Sequence, residues 1–162
     1  MSSYTYHHRV GFEETSLIGN VYFSNYLIWQ GHCREFFLRD EAPEVLDDLR
    51  EARLAFFTRS CSCDFDGDLG FSALEDVQIE MQLLEFRGGR MTLAFDYLAP
   101  GRAGARVARG RQQIACKRKN GSTWVPAPFP AALARALLRY AEGETLRQRL
   151  QEVLAFLGDE AV

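Results

Sequence analysis

Seventeen consecutive residues, Tyr22 to Leu38 (YFSNYLIWQGHCREFFL), predict a helix that is apolar around nearly its whole circumference. A helix without a polar face belongs inside a fold, with cover on every side. Yet this one carries Tyr26, His32, Arg34 and Glu35, with Gly31 in its interior. Burying such groups without a partner is costly, so they call for an ion partner or a site. The polar loop Glu13 to Gly19 leads into it.

The rest of the chain supplies the cover. Tyr4 to Val10 has strand composition. Asp40 to Leu54 reads as a short charged helix with Pro43 in its first turn. From Ala55 the period changes to two. Val77, Ile79, Met81 and Leu83 alternate with polar residues, and Arg87-Gly88-Gly89-Arg90 turns into Leu93, Phe95 and Tyr97 as a hairpin. A long strand follows Pro100-Gly101 to Lys119, and Asn120-Gly121 returns it to Val125. Two amphipathic helices, 131–141 and 144–157, flank Gly143. A curved antiparallel sheet wrapped around the long helix is an α+β layout, and a second copy completes what one unit leaves bare.

At 162 residues the chain reads as one domain, 1–162, with the helices of 131–157 as an appendage. A net charge of −3 gives no drive toward nucleic acid. No apolar run reaches the ~20 residues that span a bilayer, and no signal peptide is visible, so a cytoplasmic location is the expectation. Cys33, Cys61, Cys63 and Cys116 lack metal-site spacing and read as buried free thiols. No metal or cofactor is expected.

The pattern Phe12-Glu13-Glu14-Thr15-Ser16-Leu17-Ile18-Gly19-Asn20-Val21-Tyr22, then Asn25-Tyr26-Leu27, resembles the hotdog-fold thioesterases of the 4-hydroxybenzoyl-CoA thioesterase-like group. Trp29-Gln30-Gly31, Cys33-Arg34-Glu35 and Cys61-Ser62-Cys63 are most similar to the thioesterases of enediyne polyketide biosynthesis. The resemblance covers most of 4–125. It implies a hotdog fold, and hydrolysis of a polyene β-ketoacyl chain from the acyl carrier domain of an iterative polyketide synthase, by a homodimer or homotetramer. The wider group places a carboxylate in the loop or in the helix, where this chain has Ser16 and Gly31. The enediyne enzymes carry an amide at the loop position, and Ser16 departs from that too.

Thioester cleavage needs a water at the carbonyl and donors for the oxyanion. The helix start offers free N–H groups and a positive dipole end, and Gly19 permits close approach. Asn20 either serves there or caps the helix. Tyr26, one turn beyond Tyr22, is either a core or interface aromatic or an active-site phenol; the resemblance implies the latter. Arg34 either forms a buried ion pair with Glu35 of a second copy or another acid, or, as the resemblance implies, holds a substrate oxygen. Asn20, Tyr26 and Arg34 are thus the catalytic candidates, and Ser16, Gly19 and Phe57 the substrate-binding ones.

Other groups carry blander readings. His32 lacks a nucleophile motif and reads as a satisfied core histidine, and His7 and His8 face opposite sides of a strand. Asp64, Asp66 and Asp68 with Gly67 and Glu75 resemble a calcium loop only superficially, without flanking helices. Arg102 to Lys119 holds seven basic residues and no acid. That stretch is either a solvated edge strand or a dock for an acidic carrier domain. Two function classes therefore stand: an acyl-carrier thioesterase, or a non-catalytic hotdog module that binds acyl chains or a synthase. A hotdog dehydratase would need a His–carboxylate pair at the helix start, which the sequence lacks.

Overall fold

A computed structural model describes residues 2–66 and 76–159. Six strands form one antiparallel sheet: β1 (Tyr4–Arg9), β2 (Leu54–Phe65), β3 (Asp76–Arg87), β4 (Arg90–Ala99), β5 (Ala105–Asn120) and β6 (Thr123–Pro126). The order is β1-β3-β4-β5-β2, with β6 also paired to β5. The helices are α1 (Ser24–Glu41), α2 (Pro43–Arg50), α3 (Ala131–Leu137) and α4 (Glu144–Asp159).

The long helix begins two residues later and ends three later than the apolar run predicts. Tyr22 and Phe23 belong to the approach, because Val21 bridges to Thr15 and Tyr22 N–H donates to Glu14 O at 2.9 Å. Pro43 opens α2 as its first residue, as expected. In α1, Tyr26, Trp29, Gln30, Cys33, Phe37 and Leu38 are buried, at helical spacing on one face. They meet the alternating inner residues of β3 and β4: Val77, Ile79, Met81, Leu83, Leu93, Phe95 and Tyr97. One sheet covers one face, so Tyr22, Phe23 and Ile28 stay exposed.

The C-terminal segment, expected as an appendage, shares the same core. Leu133, Leu137, Tyr140, Leu146 and Leu150 are buried in it. The Tyr140 ring packs edge-on to Phe37 and Tyr4, and its hydroxyl donates to Glu41 at 2.9 Å. Ala141 bridges to Leu83.

At the other limit of the sheet, β2 pairs only with β5, through a register shift between Thr58 and Ser60. Its second edge is open among the described residues. This placement explains the cysteines. All four are free, but only Cys33 and Cys116 are buried; Cys63 is half-buried and Cys61 exposed, contrary to expectation, because β2 is an edge strand. Burial pushes the Cys116 thiol up to about 11 and the Cys63 thiol up to about 12.

Candidate active site

The loop before α1 is a small hairpin. Ser16 N–H donates to Asn20 O at 2.7 Å and Gly19 N–H to Ser16 O at 2.9 Å. The Ser16 hydroxyl donates to Asn20 Oδ1 at 2.5 Å. Gly19 sits at φ +84°, where a side chain is strained although nothing would collide with it. The apolar tip, Leu17 and Ile18, is fully exposed. Asn20 does not cap the helix. Phe23 occupies the N-cap position without a side-chain bond, and the Asn20 oxygen is taken by Ser16. The first N–H groups, of Phe23 and Ser24, have no acceptor among the described residues, whereas Asn25 and Tyr26 donate to Tyr22 O and Phe23 O. The helix entrance therefore keeps two free donors at its positive end.

A carboxylate that sequence reasoning treated only as part of a motif anchors this loop. Glu14 Oε1 accepts from Trp29 Nε1 at 2.7 Å, Glu14 Oε2 accepts from Gly11 N–H at 2.9 Å, and His8 Nε2 lies 2.9 Å from both oxygens. Burial alone would raise its pKa, but these bonds outweigh burial and hold the group below the ordinary carboxylate value. Its backbone oxygen meanwhile receives Tyr22 N–H and Asn25 Nδ2. Both carboxylate oxygens are thus engaged in holding the loop against β1 and α1. The β1 pattern half-buries His8 and exposes His7, the opposed facing expected of neighbours in a strand. His32 is half-buried and makes no hydrogen bond among the described residues, so it is not the satisfied core histidine expected.

Further along α1, three residues one turn apart face the open-edged strand β2. Tyr26 packs against Phe65 and Tyr97; Gln30 Nε2 donates to Ser62 O at 2.9 Å; Arg34 Nη1 donates to Thr58 Oγ1 at 3.1 Å and Gln112 Oε1 at 3.2 Å. The i, i+4, i+8 row is a natural packing ridge inclined to the helix axis. It therefore follows one strand despite the rotation of about 80° that an ideal helix puts between its ends. This seam holds the two buried side-chain polar atoms that lack a partner among the described residues, Tyr26 Oη and Gln30 Oε1. Arg34 is half-buried, and no carboxylate lies within ion-pair distance of it among the described residues of one chain. Desolvation lowers its pKa from the ordinary arginine value. Gly31, on the same helix, has nothing within 4 Å of where a Cβ would stand.

The expected constellation is therefore split. Tyr26 and Arg34 share the seam, with Gln30 between them, a residue that the sequence marks only as part of the Trp29-Gln30-Gly31 motif. Tyr26 does not share a face with Tyr22, because Tyr22 precedes the helix. Asn20, Ser16 and Gly19 belong to the loop hairpin. Ten residues of α1 separate Ser24 from Arg34, about 15 Å of helix. Phe57 lies on the far side of the sheet, edge-on to Trp124 with the Lys117 ammonium 4.5 Å from its ring centroid. Strand alternation puts Phe56 inward and Phe57 outward.

The basic stretch is also less bare than its sequence implies. Arg109 pairs with Asp96, and Arg106 with Asp66 and Asp96, acids supplied by other segments. Asp66 thus has an arginine partner, while Gly67, Asp68 and Glu75 lie outside the described residues.

The profile of the thioesterase-like superfamily matches residues 10–137. A search of curated proteins returned no match. Among solved structures, the dynemicin thioesterase, described with bound polyene, superposes with a TM-score of 0.82 at 44% identity, covering 88% of this chain and 100% of that one. A 1,4-dihydroxy-2-naphthoyl-CoA thioesterase from Synechocystis gives 0.73 at 18% identity, covering 84% and 96%. A 4-hydroxybenzoyl-CoA thioesterase gives 0.71 at 19%, covering 85% and 99%. The last two speak for the fold alone, which is the hotdog arrangement of sheet and helix.

Proposed function

This chain belongs to the thioesterase-like superfamily, and from that premise we propose that it hydrolyses the thioester of a polyene β-ketoacyl chain borne by the carrier domain of a polyketide synthase. The likeness to the dynemicin thioesterase supports the polyene chain. The observation that carries the mechanism is Arg34, a largely desolvated guanidinium whose hydrogen-bond partners are both neutral, in a seam that also holds two unpartnered polar atoms. Such a cation suits an oxygen that gains negative charge during the reaction.

Water adds to the thioester carbonyl, and the tetrahedral oxyanion is met by N–H donors. The C–S bond then breaks, with water's proton passing to the leaving sulfur. A donor aimed at that oxyanion contributes about 3–4 kcal/mol. The free N–H groups of Phe23 and Ser24, beside Asn20, form one donor set, and Arg34 the other.

A second copy of the chain unites them. Antiparallel pairing along the open edge of β2 sets the start of one α1 beside the middle of the other, so the loop of each copy approaches Arg34 of its mate. The exposed Leu17, Ile18, Tyr22, Phe23 and Ile28 support the pairing. Within this arrangement Tyr26 and Gln30 line the space between, and Ser16 fixes Asn20.

The test is release of free thiol from a β-ketoacyl pantetheine thioester, soluble or attached to a carrier domain. Arg34→Met is expected to lower kcat/KM by about 10²–10³-fold. It should change Tm little, because the charge removed is partly desolvated and forms no ion pair among the described residues. If the wild-type chain releases no thiol above buffer while still binding the acyl chain, the non-catalytic module replaces this reading.

A further inference from the structure

The apolar stripe of α4 outruns its cover. Leu146, Leu150, Val153, Leu154 and Leu157 follow one another at helical spacing, a pattern that predicts burial along the whole element. Only the first two are buried, at 8% and 0% exposure. Val153, Leu154 and Leu157 are half-buried, and Phe156 is 65% exposed. Helix α4 thus docks by its first half and leaves room under its second. The whole element lies beyond residue 137, where the match to the superfamily profile ends.

The room is a wedge of about 450 Å³ between α4 and the β3–β4 hairpin. Phe86 and Phe129 form its floor, their ring centroids 5.4 Å apart. Pro128, Val153, Phe156 and Leu157 form its walls. The floor is held from behind: Phe56 packs edge-on to Phe129 at 5.3 Å, and Phe129 N–H donates to Gly88 O at 3.1 Å. Walls of carbon across a gap lack dispersion partners, and they give a water too few polar groups to hold it.

Size, backbone and charge narrow the occupant. The volume falls in the range of about 300–1,000 Å³ typical of small-molecule sites. An α-helix about 10 Å across takes up roughly 420 Å³ per turn, so the wedge would hold a single turn of one. An extended peptide must pair its own N–H and C=O groups, and here Gly88 O is already taken by Phe129. The mouth carries one charge of each sign, Arg149 and Glu152, and so favours neither anion nor cation. The aromatic floor suits a flat π face laid against it.

We propose that the wedge beneath α4 is a binding site for an uncharged, conjugated, hydrocarbon-like chain, separate from the seam between α1 and β2. The site is independent of the hydrolysis reading. Its failure leaves that reading intact, because thiol release from a short-chain thioester is measured separately.

The experiment titrates the whole protein with diphenylhexatriene, an uncharged conjugated rod whose fluorescence rises in apolar surroundings. Parinaric acid and its methyl ester, a conjugated tetraene with and without a charge, are compared in parallel. Val153→Phe fills the wedge and Phe156→Asp puts a charge at its wall; each should lower the number of diphenylhexatriene molecules bound per chain by one. Thiol release from a short-chain thioester should be unchanged in both variants. Val153→Phe should also melt no lower than wild type, since it supplies the missing packing. Phe156 is exposed, so its variant keeps the test open if the filled wedge misfolds. The ester should bind at least as tightly as the acid. Probe binding unchanged in both variants overturns the proposal, as does an acid that binds tenfold tighter than its ester. So does a Phe156→Asp chain that keeps its probe but separates from its mate in sedimentation, because the face is then a contact between copies.

Discussion

Replacing Glu14 by Gln tests whether one carboxylate holds the loop that leads into α1. The side chain is 14% exposed and receives Trp29 Nε1, Gly11 N–H and His8 on its two oxygens. An amide offers one acceptor and one donor. Whichever way it turns, its NH₂ group confronts either the Trp29 or the Gly11 N–H, and a buried donor is orphaned at about 1–3 kcal/mol. Loss of charge assistance on the remaining bonds adds to that, so the total is about 3 kcal/mol, a fall in Tm of roughly 6–12 °C for a chain of this size. The pH dependence gives a second, sharper reading. Glu14 has a depressed pKa in the folded protein, so its stabilisation is full above the unfolded value of about 4.3 and disappears as pH falls through the folded value. Thermal unfolding of wild type and Glu14→Gln from pH 7 downward should show a constant gap to about pH 5, then a narrowing one. A gap under about 1 kcal/mol, or one that stays constant into acid, would refute the anchoring role.

Two further outcomes follow from the seam and the loop tip. A Cβ on Gly110 would stand 2.0 Å from Gln30 Nε2, so Gly110→Ala should cost about 1–3 kcal/mol. Adding Gln30→Ala should recover most of that in a double-mutant cycle followed by denaturant unfolding; additive losses would show that the two residues do not compete for the space. Leu17→Asp/Ile18→Asp removes apolar surface that is already bare in one chain, so the lone chain should lose under about 0.5 kcal/mol per site. Sedimentation velocity should nevertheless show a shift from paired to single chains and thiol release should fall, whereas an unchanged assembly would place the loop outside the contact.

The architecture was legible in the sequence wherever periodicity spoke. Val77 to Leu83 and Leu93 to Tyr97 alternate cleanly, and the Gly88-Gly89 turn joins them as expected. Boundaries failed where tertiary contacts intervene: the apolar character of Tyr22 and Phe23 extends the helical pattern, but the Thr15–Val21 bridge captures the approach. Phe57 was assigned by residue type rather than strand parity, and parity turns it outward. Gln30 was legible only as part of the Trp29-Gln30-Gly31 motif, and not as a site residue, because a lone amide in an apolar run leaves no periodic pattern. Its significance arises only from Ser62, Gly110 and an unfilled acceptor, all distant in sequence. Arg34 was legible as a charge in the wrong place, but its neutral partners on β2 and β5 were not.

Among the described residues, the twelve of β2 expose one side of their backbone, and such a ladder accepts almost any extended peptide. In the proposed pairing, a mate that occupies it would therefore also act as a guard during storage and synthesis. Dilution, the usual remedy for clumping, would then strip the guard away, and freshly separated chains should precipitate more readily at low concentration than intact pairs do at higher concentration.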